Sequence, residues 1–255
     1  MIDLDRLWPL PKADLALPAG EVHIWRAALN LAPPQVHSLC TLLSADEVRR
    51  ADRLVSERAR THFTVARGLL RLLLSRYLHI DPRALHFHYN PYGKPALAPS
   101  VDHAHVVFNV SHAHELALFA IASSGALGVD IEYIRPIPEV EHIAQQFFAA
   151  QEQSALRALP DDQRLRAFFA CWTRKEAYIK ARGEGLSLRL DQFYVSVAPD
   201  APAKLLAVAS DEREHTRWTL RALEPGPGYV AALAIEGQGW TSHCWRWPSS
   251  EEQTV

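Results

Sequence analysis

Residues Gly128–Pro136 read GVDIEYIRP and follow directly on the apolar run LALFAIASSGAL at Leu116–Leu127. As a strand, with side chains alternating at a period of two, the segment turns Asp130 and Glu132 to one face and Ile131 to the other. Two like charges on a partly buried face repel and lose hydration. A bound cation would offset that cost, and so would an Arg or Lys partner.

Outward from this strand, HVVFNVSH (105–112) and ELALFAIAS (115–123) read as two more strands. Before them, FHYNPYGKPAL (87–97) places Gly93 between Tyr92 and Lys94 with Pro95 beyond, the chemistry of a turn. Further back, Ser44 with Glu47 forms a capping box ahead of a helical stretch whose Leu69, Leu70, Leu73 and Leu74 make an apolar face. Arg49, Arg50, Arg53, Arg58, Arg60, Arg67 and Arg71 crowd this region; most are expected to face solvent, and one or two at a cleft would suit a phosphate. EVHIWRAAL (21–29) reads as a strand stopped by Pro33 and Pro34, and the first 20 residues as an irregular lead-in.

On the other side, a helical stretch near Val140–Leu159 precedes a strong helix that starts at Asp161 or Asp162 and ends at Gly183 and Gly185. LDQFYVSV, AKLLAVAS, TRWTLRALEP and GYVAALAIE then read as strands, and the tail after Trp247 as loose. Both halves run from helix to strands, which suggests a two-lobed, pseudo-duplicated α+β fold. The halves meet near the paired acids, and an interface between lobes commonly forms a ligand cleft.

Composition narrows the function classes. In 255 residues, 27 basic and 29 acidic side chains leave a formal net charge of -2, so no global field draws nucleic acid or an anionic membrane. Cys40, Cys171 and Cys244 match no disulfide or zinc spacing, which favours a reducing compartment. The N-terminus lacks the features of a signal peptide and no apolar run is long enough to cross a bilayer, so a cytoplasmic protein is expected.

A third acid lies on the strong helix. In CWTRKEAYIKARGEGL (171–186), Glu176 and Lys180 are four apart and share a face, the spacing of a surface ion pair. Glu176 also follows an apolar stripe with Phe169 and Trp172, which would turn it inward. A third carboxylate at a cleft would complete an oxygen-rich site suited to Mg²⁺ with phosphate oxygens as further ligands, and Lys180 would reach the same phosphate. His103, His105, His112 and His114 form two H-x-H pairs that raise a zinc-dependent hydrolase as an alternative, although no cysteine joins them. Ser111 beside His112 makes a poor nucleophile pair, because neighbours on a strand point to opposite faces.

The motifs YGKPAL, FNVSHAHELALFA, GVDIE and WTRKEAYIKARGEGLSL, in this order, resemble the surfactin-type (Sfp-like) 4′-phosphopantetheinyl transferases over roughly residues 44–235. The resemblance implies an α+β fold of two similar two-layer lobes in pseudo-twofold arrangement, with coenzyme A in the cleft between them and Mg²⁺ on its pyrophosphate. It divides the chain into an N-terminal lobe (1–125) with the basic coenzyme A-binding region, a C-terminal lobe (126–247) with the metal carboxylates, and a flexible tail (248–255). Asp130, Glu132 and Glu176 become the metal ligands, Glu176 and Lys180 the catalytic pair, and Arg50, Arg53, Arg60, Lys94, Pro95, Ser111 and His112 the coenzyme A contacts.

The implied reaction moves 4′-phosphopantetheine from coenzyme A to a serine of an apo acyl, aryl or peptidyl carrier protein and releases adenosine 3′,5′-bisphosphate. The enzyme is expected to act as a monomer without nucleic acid or membrane. A coenzyme A-binding module without transfer activity is the nearest alternative.

Overall fold

A computed structural model describes residues 3–11, 15–98 and 106–248. The chain-order elements are α1 (Leu4–Leu7), β1 (Glu21–Ala28), α2 (Pro33–Cys40), α3 (Ala45–Asp52), α4 (Glu57–Leu78), β2 (Phe87–Tyr89), β3 (Pro95–Leu97), β4 (Val107–Ala113), β5 (Leu116–Ala122) and β6 (Leu127–Tyr133). They continue with α5 (Val140–Phe147), α6 (Ala150–Arg157), α7 (Asp161–Arg182), β7 (Phe193–Val195), β8 (Leu205–Val208), β9 (Trp218–Leu223), β10 (Tyr229–Glu236) and β11 (Thr241–Arg246).

Two sheets carry the architecture, in the orders β11-β1-β5-β4 and β6-β10-β9. Period-two alternation gives each sheet two apolar faces. One face of each meets the other sheet: Val22, Ile24, Leu118 and Ala120 from the first pack with Val129, Ile131, Leu233 and Ile235 from the second. The outer face of the first sheet, including Trp25, Phe119 and Ile121, is covered by Leu69, Leu70, Leu73 and Leu74 of α4. The outer face of the second, including Ala232 and Ala234, is covered by Phe168, Ala177 and Tyr178 of α7. The result is two similar α/β lobes, each a helix layer on a sheet, arranged pseudo-symmetrically with the sheets in the centre.

Local chemistry places the two long helices. Ser56 accepts from the Ala59 amide at the start of α4, and Gly183, in the left-handed region at φ 70, ends α7. Glu47 accepts the Ser44 amide at 2.9 Å, its half of the capping box, and is itself buried against Arg71 at 2.7 Å and Arg67 at 3.5 Å. Thus two arginines of the basic stretch sit inside the lobe, whereas Arg49, Arg50, Arg53, Arg58 and Arg60 are exposed. A second buried pair, Lys175 with Glu152 at 2.6 Å, joins α7 to α6; the Phe193 carbonyl accepts from Lys175, and Glu152 accepts the Ala149 and Val195 amides. A pair so enclosed is costly to break, because the surviving charge is left without a partner.

Two elements depart from the sequence reading. Pro33 and Pro34 do stop β1, but they then open α2, since proline is tolerated in the first helical turn where amides are free anyway. The segment after Gly239 forms β11, parallel to β1 with His23 opposite His243, so residues 241–246 return to the sheet of the N-terminal half. Sheet pairing therefore does not follow a linear division after residue 125. Residues 249–255 of the expected tail lie outside the described residues.

Candidate active site

The acids stand where β6 passes under α7. Gly128 lets the helix come that close: a methyl group there would lie 2.1 Å from the Ala177 carbonyl oxygen. Gly128, Asp130 and Glu132 share a face by strand alternation, so the same contact aims both acids toward α7. Ile131 turns into the core between the sheets at 1% exposure. Burial of such a side chain contributes roughly 1.5–3 kcal/mol, which resists any one-residue slip of β6.

Strand β4 supplies the third wall. Asn109 and Ser111 share a face, and both are buried. Asn109 Oδ1 accepts from the Val129 amide at 2.9 Å, linking the two sheets where no ladder joins them. Ser111 Oγ donates to Asp130 Oδ1 at 2.8 Å. Lys180 Nζ, from α7, donates to the same Asp130 oxygen at 2.6 Å and to Ser111 Oγ at 2.8 Å. Lys180 therefore reaches across to β4 and β6; the surface ion pair with Glu176 that its spacing allowed is not what holds it.

Asp130 Oδ2 is buried and has no hydrogen-bond partner. Glu132, half-buried, is held above the usual carboxylate range by burial and by the Asp130 charge, with Arg135 at 3.4 Å partly opposing. Burial also raises Glu176, followed by Asp130. Three acids that raise one another's cost, with one bare buried oxygen among them, fit a hard divalent cation such as Mg²⁺. Among the described residues, however, only Glu21, His23 and His243 bring their ligand atoms within 4.8 Å of one another. The acids flank the position without closing on it.

Two recesses open on the acids. The larger, about 640 Å³, is lined by Glu132, His112, Arg50, Arg58, His62 and Arg135, among others. Cations thus surround one acid at its floor. Arg50 lies over the rings of Phe63 and Tyr89, 5.9 and 5.3 Å from their centroids. Arg58 is hydrogen-bonded to His114, which occupies the left-handed region at φ 51 and stacks on Tyr133. His112 opens to this cleft; desolvation, then Lys180 and His62, hold its imidazole below the ordinary value and favour the neutral ring. The smaller recess, about 220 Å³, is lined by Glu176, Lys180, Lys94, Asn109 and the glycines at the end of α7.

The sequence candidates distribute unevenly over this geometry. Asp130, Glu132, Glu176, Lys180, Ser111 and His112 come together. Arg50 lines the large cleft, whereas Arg53 and Arg60 are exposed and do not; Arg60 donates to the Leu54 carbonyl at 3.3 Å. Lys94 Nζ donates to the Leu127 and Ala181 carbonyls at 2.9 and 3.2 Å, tying the start of β6 to the end of α7, and burial lowers it to about 8. Pro95 begins β3 opposite Tyr89. His103 and His105 lie outside the described residues, and His112 and His114 are engaged as above. Arg58, His62 and Arg135 escaped the sequence reading as members of one cleft; the Ser56 helix cap, which fixes the direction of α4, was the available signal for Arg58.

The two pseudo-symmetric α/β lobes match the architecture of a known class. The chain belongs to the 4′-phosphopantetheinyl transferase superfamily: that family matches residues 126–234, and the family "4′-phosphopantetheinyl transferase, N-terminal" matches residues 30–124. Its relatives include the 4′-phosphopantetheinyl transferase HetI of Nostoc sp., 38% identical over 96% of this chain and 100% of that protein. The transferase Sfp of Bacillus subtilis is 34% identical over 65% of this chain and 69% of its own length. AcpT of Escherichia coli is 37% identical over 44% of this chain and 55% of its own. The likeness thus extends to both Sfp and AcpT, and the chain is a phosphopantetheinyl transferase of the superfamily at large.

Proposed function

We propose that the protein is a Mg²⁺-dependent enzyme of the Sfp type that transfers 4′-phosphopantetheine from coenzyme A to a serine of an apo carrier protein, releasing adenosine 3′,5′-bisphosphate. The observation that carries this reading is the buried, unpartnered Asp130 Oδ2, on the same face of β6 as Glu132, which itself lines an arginine- and histidine-lined cleft.

Asp130, Glu132 and Glu176 would hold Mg²⁺. When bound, the ion neutralises the pyrophosphate and stabilises charge that develops on the leaving phosphate. Arg50, Arg58, Arg135 and His112 bind and orient the phosphates of coenzyme A; Arg58 does this work in place of Arg53 and Arg60, which lie outside the cleft lining. Glu176, opening to the smaller recess, takes the proton from the carrier serine as its oxygen attacks phosphorus. Lys180 keeps Asp130 Oδ1 paired and presents positive charge to the departing phosphate. Ser111 positions Asp130, and Lys94 ties the β2–β3 hairpin, in which Pro95 pairs with Tyr89, to the end of α7. No enzyme nucleophile is required.

The protein would act as a cytoplasmic monomer that meets soluble carrier domains; among the described residues no helix is long and apolar enough to cross a membrane. The test is mass spectrometry of apo carrier proteins incubated with the protein, coenzyme A and Mg²⁺. A serine that gains one phosphopantetheine is the expected result. Coenzyme A binding with no mass shift on any acyl, aryl or peptidyl carrier would favour a binding module instead.

A further inference from the structure

A second cluster of ligating side chains lies at the opposite edge of the first sheet, on β1 and β11, with β5 between them and β4. Glu21 and His23 share a face of β1 by their spacing of two, and His243 stands opposite His23 in the parallel β1–β11 register. Glu21 Oε2 lies 3.5 Å from His23 Nε2 and 3.2 Å from His243 Nε2. All three ligand atoms fall within 4.8 Å of one another. A tetrahedral ion with bonds of about 2.0–2.1 Å separates its ligand atoms by about 3.3 Å, which is the spacing the two carboxylate–imidazole pairs already show.

The surroundings prepare these rings for a metal. His23 is buried, with Nδ1 2.7 Å from the Tyr77 hydroxyl, whose oxygen accepts from Trp25 Nε1 at 2.9 Å. In the tautomer that carries its proton on Nδ1 and donates it to Tyr77, the Nε2 lone pair faces Glu21 and His243; such an outer hydrogen bond is how ligating histidines are fixed in tautomer and direction when a metal binds. His243 is stacked on Trp245 at 6°. Glu21 and His243 are half-buried, which leaves a side of the cluster open for a water.

We propose that Glu21, His23 and His243 form a zinc site, separate from the acid cluster, that staples β11 to β1. Two imidazoles and one carboxylate suit Zn²⁺, whereas Mg²⁺ prefers an all-oxygen shell. The ion would cross-link the last described strand of the chain to the first, at a sheet edge where β11 has β1 as its single neighbour. Metal binding of this kind contributes directly to folding free energy.

The test uses the full chain, stripped with chelator and titrated with Zn²⁺ against a chromophoric competitor, with Co²⁺ absorption reporting coordination. The wild type should take up one tight equivalent, show the intense visible bands of four-coordinate Co²⁺, and gain thermal stability with Zn²⁺. His243→Ala and Glu21→Gln should each weaken that binding by at least ~10²-fold, and Tyr77→Phe by ~10- to 10²-fold, the scale of outer-partner loss. Glu21→Gln alters a half-buried surface group and serves if His243→Ala does not fold. Asp130→Asn should leave the zinc equivalent intact. The assignment is overturned if the wild type shows no saturable equivalent, if both ligand variants keep wild-type affinity, or if Asp130→Asn abolishes the binding.

Discussion

Glu176 differs from Asp130 in what surrounds it, and that difference is measurable. Asp130 is paired through one oxygen with Ser111 and Lys180, so Asp130→Asn should weaken Mg²⁺ affinity and recover in part at high Mg²⁺. Glu176→Gln removes the proton acceptor, which metal saturation cannot replace; transfer should fall by at least ~10²-fold and stay low in single-turnover assays across a Mg²⁺ titration. Full rescue would demote Glu176 to a ligand. In chelator, the same variant should melt higher than the wild type at neutral pH. Burial, then Asp130, raises the Glu176 carboxyl, so the folded chain holds a proton that the unfolded chain has already released. Stability of the metal-free wild type therefore falls as pH rises from the ordinary carboxylate range through that raised value, and the advantage of Glu176→Gln should vanish in acid. Arg58→Ala addresses the cleft instead. It should cost coenzyme A about 1.5–3 kcal/mol of affinity, one lost charged hydrogen bond, by calorimetry with the fold unchanged by circular dichroism. An unchanged affinity would remove Arg58 from the phosphate site.

At the scale of elements, the site depends on how closely α7 rests on β6. Gly128→Ala forces a methyl group onto the Ala177 carbonyl and the Ala181 backbone, so helix and strand must part. Overpacking of this kind costs about 1–3 kcal/mol, and here it also carries Glu176 and Lys180 away from Asp130. Both the urea midpoint and the transfer rate should drop, the rate by more than the loss of folded protein explains; a variant destabilised but fully active per folded molecule would refute the positional argument. Lys94 joins the same two elements from the β2–β3 hairpin. Burial lowers its ammonium from the ordinary 10.5 to about 8, so between those values the unfolded chain binds a proton the folded chain has given up. Wild-type stability gains from this group as pH rises through that window. Measured by urea unfolding, the wild type should gain about 2 kcal/mol relative to Lys94→Met between about pH 8 and about pH 10. Parallel curves for the two proteins would show that the ammonium is not buried as described.

For the whole molecule, the order of the chain and the order of the sheets differ. The C-terminal β11 closes the outer edge of the first sheet, and Trp245 and Trp247 pack on the same core that α4 covers. A chain ended after Gly239 should lose about 3 kcal/mol or more, the burial of one or two large side chains. It should also expose the outer edge of β1 as a template for intermolecular pairing. Urea unfolding and light scattering would read both effects, and an unchanged midpoint without aggregation would show that β11 is an accessory strand. With a net charge of -2 for the whole chain, the protein still gathers Arg50, Arg58 and Arg135 around one cleft.

Local pattern was enough for much of this protein. Period two in Leu127–Tyr133 separated the two acids from Ile131; the leucine spacing of α4 marked its buried face; Gly183 marked the end of α7; and four motifs in series marked the family. These features are set by neighbours within a few residues, so the chain alone determines them. Other features depended on contacts between distant segments. Whether Lys180 would meet Glu176 one turn away or Asp130 across the lobe was decided by the close seating of α7 on Gly128. Whether Lys94 would face solvent or two carbonyls was decided by the hairpin folding under α7. Arg67 and Arg71 looked like their exposed neighbours until Glu47 was placed beside them. The strand TSHCWR at Thr241–Arg246 carries four polar side chains and little apolar alternation, so it becomes a strand only because the open edge of β1 supplies hydrogen bonds for its backbone. Hydrogen-bond partners and buried charges remote in sequence are fixed by packing, and packing exists only once the whole chain has folded.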